Sequence, residues 1–429
     1  MKVGIRREDK SIWERRVPLV PEDVKELREK GIEFIVQPSS IRVFPDEEYV
    51  KAGAEVKEGL SEAKVILGVK EIPPSKLLPE KVYMFFSHTI KGQPYNMPML
   101  KKLLELGTTL IDYEKVTDDS GRRLIFFGVF AGYAGAIDTL WTFGQRLKEE
   151  GMDTPFERLK PAHQYNSLEE AKAEIKAVGE VIKNEGLPYE ILPFVIGIAG
   201  YGNVSRGAQE IIDLLPVKEI EPDDIFELPA DPRTVYKVVF KEWHMVEPKE
   251  GEFDLQDYYK NPYKYRSVFK KYIPYLTILI NAIYWEEKYP RLVTKEDLKK
   301  LYLDSPKLKV IGDISCDVEG AIEATIKCTE PGDPVFIYDA ESGRAIKGYT
   351  GRGPLILAVD ILPSELPREA SIYFSHVLKN FIPAVVNADY RLPFEKLNLP
   401  PELKRAVIVH RGELTPDYKY LEKFIEGVE

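Results

Sequence analysis

Residues 194–215, FVIGIAGYGNVSRGAQEIIDLL, constrain the fold of this chain more than any other stretch. An apolar run of strand length is followed at once by a glycine turn, and then by apolar residues at helical spacing. Gly200 and Gly202 let the backbone turn tightly and approach a pyrophosphate, whose charge then sits at the helix N-terminus. The third position of the GxGxxG pattern is Ser205, a side chain small enough for close helix–strand packing. The expected cofactor contacts of the turn are Gly200, Gly202, Asn203, Val204 and Ser205. A glycine pattern framed by a strand and a helix is far more specific than the pattern alone, with a tight turn in some other α/β protein as the plain alternative. Because the turn begins near residue 200, a substantial domain precedes it.

At 429 residues the chain is too long for one ordinary core, and two domains are expected. The net charge is −10, with acids and bases interspersed, which argues against nucleic acid or an anionic membrane as partner. No apolar run reaches the roughly 18 residues of a bilayer span. The opening MKVGIRREDK enters a strand directly and has no signal-peptide core, so a cytoplasmic enzyme is expected. Two cysteines, Cys316 and Cys328, provide neither a disulfide framework nor a cysteine zinc site. No HExxH or comparable spacing occurs, so proton transfer without a metal is favoured.

Strands alternating with helices run through the first 130 residues: KVGI (2–5), a helix opened by Pro21 and stopped at Gly31, FIVQ (34–37), a helix near 46–52, VILGV (65–69), VYMFF (82–86), a helix over 97–106 and TTLIDY (108–113). This rhythm implies a parallel sheet. A long helical pattern over 132–151 links this domain to a second. There, beyond the glycine turn, VYKVVF (235–240), YLTILINAIYW (275–285), KVIGDIS (309–315) and LILAVDIL (355–362) supply further strands. The Tyr/Lys-rich span 247–274 has few aliphatic residues and reads as surface loops and helices. The tail carries helical patterns over 367–380 and 416–426.

Lys70 and His88 each end an apolar strand, where doubly wound sheets bind ligands. Two such titratable groups at neighbouring strand ends make an acid–base pair, against the plainer reading of a surface lysine and a hydrogen-bonded histidine. Arg16, in WERRVPLVP, offers a planar fork for a substrate carboxylate, with a solvated surface arginine as the alternative. Lys91 and Gln93 fall just beyond His88, and Glu114 occupies another strand end. Asp317 follows a strand of the second domain; it faces the nicotinamide end of a cofactor or serves only an Asx turn.

These residues, in this order, resemble the lysine–ketoglutarate reductase family, the saccharopine-forming half of aminoadipic semialdehyde synthase. The similarity runs through GIRREDKSIWERRVPLVP, GVKEIPP, FFSHTIKGQPYNMP, GRRLIFFGVFAGYAGAID, GYGNVSRGAQEIIDLLP, INAIYWEEKYPRL and ILPSELPREAS, almost the whole chain. More distantly the chain looks like saccharopine and alanine dehydrogenases. The resemblance implies two Rossmann-like doubly wound parallel-sheet domains with the active site in the cleft between them. It makes the first domain discontinuous, 1–131 with 367–429, around a dinucleotide-binding domain at 132–366. It also implies condensation of the lysine ε-amine with 2-oxoglutarate and reduction of the imine to saccharopine, with Lys70 and His88 as acid–base groups and Arg16 on a substrate carboxylate. Lys91, Gln93 and Glu114 lie in matching blocks as further substrate contacts. On the cofactor side the expected contacts extend to Glu219, Arg233, Asp317 and Ile361. Small-molecule substrates are the expected partners, with a homo-oligomer allowed. The chain ends before the second catalytic unit of the animal enzyme, so a single reaction step is expected.

The cofactor signals conflict. The resemblance favours NADP(H), yet Glu219 and Glu221 stand about 20 residues past Gly200, where an acid binds the ribose of NAD. Arg206, Arg233 and Lys237 are the candidates for a 2′-phosphate, and NADP(H) is favoured with NAD(H) allowed. Two other readings stay open: a different amino-acid or opine dehydrogenase on the same scaffold, and a dinucleotide-binding regulator without catalysis.

Overall fold

Strand and helix alternate from the first residues of the computed structural model, which describes residues 2–304 and 306–427. The chain divides into two compact units, Met1–Phe127 with Pro367–Glu429, and Gly128–Leu366.

The first unit opens with β1 (Lys2–Ile5), α1 (Pro21–Glu29), β2 (Glu33–Val36), α2 (Asp46–Lys51), β3 (Glu55–Val56), β4 (Val65–Leu67), β5 (Val82–Phe85), α3 (Met97–Glu105) and β6 (Thr109–Asp112). Pro21 starts α1 with its φ already helical, and the left-handed Gly31 (φ +85°) ends it. Val24 and Leu27 bury its inner face. The six strands run parallel in the order β3-β2-β1-β4-β5-β6. The order reverses between β1 and β4, so a crevice opens beyond their carboxyl ends.

The second unit begins with the first residue of α4 (Gly128–Glu149), four residues before the expected boundary. It continues through α5 (Leu168–Glu185), β7 (Phe194–Ala199), α6 (Asn203–Ile212), β8 (Val217–Ile220), β9 (Val235–Phe240), a ribbon of β10 (Val246–Pro248) and β11 (Tyr265–Ser267), β12 (Ile278–Asn281), β13 (Val310–Asp313), β14 (Val335–Tyr338), β15 (Ala345–Ile346) and β16 (Leu355–Leu357). Its sheet has the order β15-β14-β16-β13-β12-β7-β9-β8. The glycine turn after β7 lies where this order reverses.

Two expectations change. The 247–274 span is not confined to the surface: Tyr258, Tyr265, Phe269 and Tyr272 are buried, and Phe269 and Tyr272 pack on Phe240 with ring centroids 4.8 Å away. Aromatic bodies supply there the apolar area that aliphatic side chains supply elsewhere. Nor are the sheets wholly parallel, because β14 runs antiparallel to β16 and to β15.

Beyond residue 366 the chain returns to the first unit. Helix Pro367–Leu378 is followed by β17 (Val407–His410), antiparallel to β6, and β18 (Glu413–Leu414) at the sheet edge. The helix expected over 416–426 is a 3-10 turn at Pro416–Leu421 followed by one α turn at Glu422–Ile425. Helix Pro367–Leu378 anchors the segment after β1: Ser371 Oγ accepts from Val17 N and Ser375 Oγ from Val20 N.

Candidate active site

The carboxyl edge of the first sheet collects most of the chemistry. Backbone pairing continues past β4 and β5, from Gly68 N to Met84 O and from Phe86 N to Val69 O at 3.0 Å each, and so sets Lys70 abreast of the Ser87–His88 segment. Glu8, just beyond β1, closes the crevice by accepting from Val69 N (2.8 Å) and Lys70 N (3.0 Å). Burial pushes the Glu8 carboxyl up to about 7 against the pull of Arg6. Burial, and then the Arg16 charge, draw the Lys70 ammonium below the ordinary lysine value. A lysine in that condition exchanges its proton more readily at neutral pH.

Arg16 and Glu14 form a buried two-pronged pair, Nε to Oε1 at 2.7 Å and Nη2 to Oε2 at 2.5 Å. Burial works against the Glu14 charge, but Arg16 outweighs it and holds the carboxyl below its ordinary range. The guanidinium also lies 4.3 Å over the Phe127 ring. Arg16 is thus held on two sides, by the Glu14 carboxylate and the Phe127 ring.

His88 has a left-handed backbone (φ +49°), fixed by Asn96 Nδ2 donating to its carbonyl at 3.1 Å. Its Nδ1 lies 2.6 Å from Glu71 Oε1, and Glu71 Oε2 accepts from Lys10 Nζ at 2.9 Å. Burial opposes the Glu71 charge, yet His88 and Lys10 hold the carboxyl well below the ordinary range. Glu71 thus engages Nδ1 and leaves Nε2 as the other ring nitrogen. Asp112 at the end of β6 steadies the neighbouring residue by accepting from Ser87 N at 3.0 Å.

The remaining substrate candidates are placed less directly. Gln93 Oε1 accepts from Lys91 N at 3.2 Å across a turn made by the left-handed Gly92, and Lys91 is exposed. Glu114 begins from the Asp112 cap and pairs its carboxylate with Arg123. Sequence reasoning missed Glu8, Glu14 and Glu71 as supporting groups. Glu71 had one signal, its position directly after Lys70.

In the second unit, Gly200 adopts φ +97° and donates to Phe240 O at 2.9 Å; a Cβ there would come within 3.0 Å of Ala282 O. Gly202, which caps α6, has open space around it. This bare, glycine-lined helix entry fits a pyrophosphate. Behind it α4 and α6 cross in backbone contact: a Cβ on Gly132 would lie 2.0 Å from Val204 O, and one on Gly207 2.2 Å from Val129 O. The close approach therefore belongs to Gly207, while the buried Ser205 accepts from Gln209 Nε2 at 3.0 Å. Asn203 Oδ1 pairs with Arg206.

The outer cofactor candidates scatter. Asp317 is exposed beyond β13, its carbonyl accepting from Gly320 N at 2.9 Å, and Ile361 caps the turn after β16. Within β13 itself, Asp313 is buried, accepts from Asn281 Nδ2 at 2.8 Å and is pushed up to about 6 by burial. Glu219 lies on the edge strand β8, 2.9 Å from Lys237 Nζ, which also reaches Asp213 at 2.7 Å. Arg233 precedes β9 and so stands at the sheet edge opposite the glycine turn, since β7 and β9 are parallel. Thus neither Glu219 nor Arg233 is brought to the turn. Among the described residues no helix is long and apolar enough to cross a membrane.

Residues 4–134 match the family model for the N-terminal domain of alanine dehydrogenase/PNT, and residues 243–417 that for its C-terminal domain. Over its whole length the chain is 40% identical to mitochondrial alpha-aminoadipic semialdehyde synthase of Bos taurus, covering 48% of that protein. Over 98% of its length it is 39% identical to the Arabidopsis thaliana synthase, covering 41%. The chain thus spans about half the length of these relatives or less. It is also 30% identical to saccharopine dehydrogenase (NAD(+), L-lysine-forming) of Yarrowia lipolytica, over 88% of this chain and 90% of that one. Among solved structures, an L-alanine dehydrogenase superposes with a TM-score of 0.65 at 17% identity, covering 99% of this chain and 100% of the other, which shows a shared fold.

Proposed function

The chain belongs to the alanine dehydrogenase and saccharopine dehydrogenase family, and from that premise we propose that it joins the ε-amine of L-lysine to 2-oxoglutarate and reduces the resulting imine to saccharopine. The observation that carries this reading is the gathering of Arg16–Glu14, Lys70 and His88–Glu71 at one sheet edge. Arg16, held by Glu14 and Phe127, receives a carboxylate of the oxoacid. Lys70 takes a proton from the lysine ε-ammonium, because burial and Arg16 favour the neutral form of Lys70, and the amine so freed attacks the carbonyl. His88 Nε2 gives a proton to the carbinolamine hydroxyl, which leaves as water; after reduction the proton held on Lys70 passes to the new amine nitrogen, and His88 regains its own from solvent. The bound nicotinamide dinucleotide supplies the hydride, and Gly200, Gly202 and the first turn of α6 are the residues that would hold its pyrophosphate. The reverse reaction uses the same groups with their protonation exchanged.

The test follows oxidation of NADH and of NADPH with lysine plus 2-oxoglutarate, and separately with pyruvate or glyoxylate plus ammonia. Turnover with the lysine pair supports the proposal. Turnover with ammonia and an oxoacid alone replaces it with an alanine dehydrogenase-like activity, and dinucleotide binding without turnover replaces it with a regulator. As to the dinucleotide, the resemblance favours NADP(H), but the acid weighed in that choice, Glu219, lies one strand away from the neighbour of β7.

A further inference from the structure

The two cysteines of the chain come together in the second unit, on the segment between β13 and β14. Cys316 and Cys328 are 12 positions apart in sequence, yet their Sγ atoms lie 3.5 Å apart, and both thiols are free. Cys328 is exposed and Cys316 half-buried, so a reagent in solution meets Cys328 first. Cys316 takes a left-handed backbone (φ +53°), an uncommon state for a residue with a side chain. Its neighbours hold it there: Asp313 Oδ1 accepts from the Cys316 N–H at 3.3 Å, and Ser315 Oγ donates to Ile283 O at 2.5 Å. The Cys316 thiol also lies 2.8 Å from Ala358 O.

The two thiols differ in acidity. Cys316 directs its S–H at Cys328, which favours a Cys328 thiolate and draws that thiol below its ordinary value. The same contact, and then burial, push Cys316 up. The exposed sulfur is thus the nucleophile and the sheltered one its resolving partner. A low-molecular-weight disulfide, RSSR, is the oxidant. The Cys328 thiolate attacks one of its sulfurs, forming a mixed disulfide and releasing a thiolate that takes up the proton Cys328 had lost. The Cys316 sulfur then attacks that of Cys328, and its proton leaves with the second thiol. Two protein thiols become one S–S bond, and RSSR is reduced to two RSH.

Short steps join this loop to the glycine turn. β13 lies beside β12 and β12 beside β7, all parallel, so their carboxyl ends share one edge. Ile283, just beyond β12, accepts the Ser315 hydroxyl, and a Cβ on Gly200 would lie 3.2 Å from its side chain. Asp313, which accepts the Cys316 N–H, also accepts from Asn281 on β12 at 2.8 Å. Drawing Cys316 onto Cys328 takes its sulfur from Ala358 O and disturbs these contacts, and Asp317 is the next residue along.

We propose that Cys316 and Cys328 form a thiol–disulfide site, oxidised reversibly by low-molecular-weight disulfides, and that closing the bond weakens dinucleotide binding at the glycine turn. The second half rests on the reading of that turn as a dinucleotide site; the first does not.

The experiment treats the full chain with glutathione disulfide, counts free thiols, maps the linked peptides by mass, and titrates NADH and NADPH by fluorescence before and after. Both thiols should disappear together into a bond within one chain. Dinucleotide affinity should fall at least about threefold and return on reduction with dithiothreitol. Cys316→Ser should stop at a mixed disulfide on Cys328, while Cys328→Ser should leave Cys316 unmodified and keep its affinity under the oxidant. Thiols that stay free, a link between two chains, or a mixed disulfide that persists in the wild type overturns the proposal. So does a Cys316–Cys328 bond that leaves affinity unchanged. A reduced chain that binds neither dinucleotide rejects the reading of the turn and the coupling with it, and the thiol count still decides the bond.

Discussion

Glu71 Oε1 and His88 Nδ1 stand 2.6 Å apart although the residues are 17 positions apart in the chain, because β4 and β5 end side by side. The carboxylate holds the ring by Nδ1, and the proposed reaction uses Nε2. His88→Asn should lower kcat by about 10²–10⁴-fold, the usual contribution of a positioned acid–base group. Glu71→Gln should lower it by about tenfold or more, because the ring loses its orientation and not its proton. Steady-state kinetics together with dinucleotide titration check both. A loss of dinucleotide binding in either variant would remove His88 from the acid–base role.

Lys70 has a basicity set by its surroundings: burial and Arg16 lower it, while Glu14 and Glu71 raise it. Because the proposed reaction uses Lys70 in its neutral form, its titration should set the acidic, ascending limb of the kcat/KM profile, below the ordinary lysine range. Glu14→Gln removes a charge that favours the ammonium, so the limb should move to lower pH. Lys70→Met should abolish the limb and lower the rate strongly while dinucleotide affinity stays nearly unchanged. A limb that does not move in Glu14→Gln would assign it to another group.

The α4–α6 crossing makes a prediction about stability and cofactor together. A Cβ at Gly132 would lie 2.0 Å from the Val204 carbonyl, which is backbone and has no rotamer to escape by. Gly132→Ala should destabilise the protein by about 1–3 kcal/mol and weaken dinucleotide binding by displacing the start of α6. Gly59→Ala, where nothing stands within 4 Å, is the control and should leave both unchanged. Thermal melts and dinucleotide titration read the two effects.

Stability should also depend on pH through buried carboxyls. Glu365 is buried near the buried Asp138 and faces His163 Nδ1 at 3.2 Å; burial pushes it from its ordinary 4.5 up to about 7. The folded state therefore holds this proton where the unfolded chain has already lost it. Its contribution falls as pH rises from about 4.5 to about 7 and is level above that, a change of roughly 3 kcal/mol. Glu365→Gln should shrink the drop in melting temperature between pH 5 and pH 8. Glu8, also pushed up to about 7, contributes a similar slope of its own, so part of the drop should remain.

Much of this was legible in the chain. Runs such as VILGV and VYMFF are apolar at every position because a parallel sheet is covered on both faces, so strands and the residues at their ends could be read directly. Strands β14 and β17 were not, because VFIY and VIVH look like any short apolar run and only their partners decide that they run antiparallel. The place of Glu219 on an edge strand was hidden for the same reason. Counting along the chain assumes that the next strand is the next neighbour, and β8 breaks that assumption by taking the edge.

By itself the sequence determined the glycine turn between strand and helix, the alternation that makes two α/β units, and the titratable residues Lys70 and His88 at strand ends. These are local matters of backbone freedom and hydrophobic period, which a short window contains. The tertiary structure decided which charges meet: Glu14 beneath Arg16, Glu71 behind His88, Glu8 on the backbone of Val69 and Lys70, and Lys237 beside Glu219 on an edge strand. Those pairings depend on strand order and burial, which arise only when distant segments share a sheet, and they decide the basicity of Lys70.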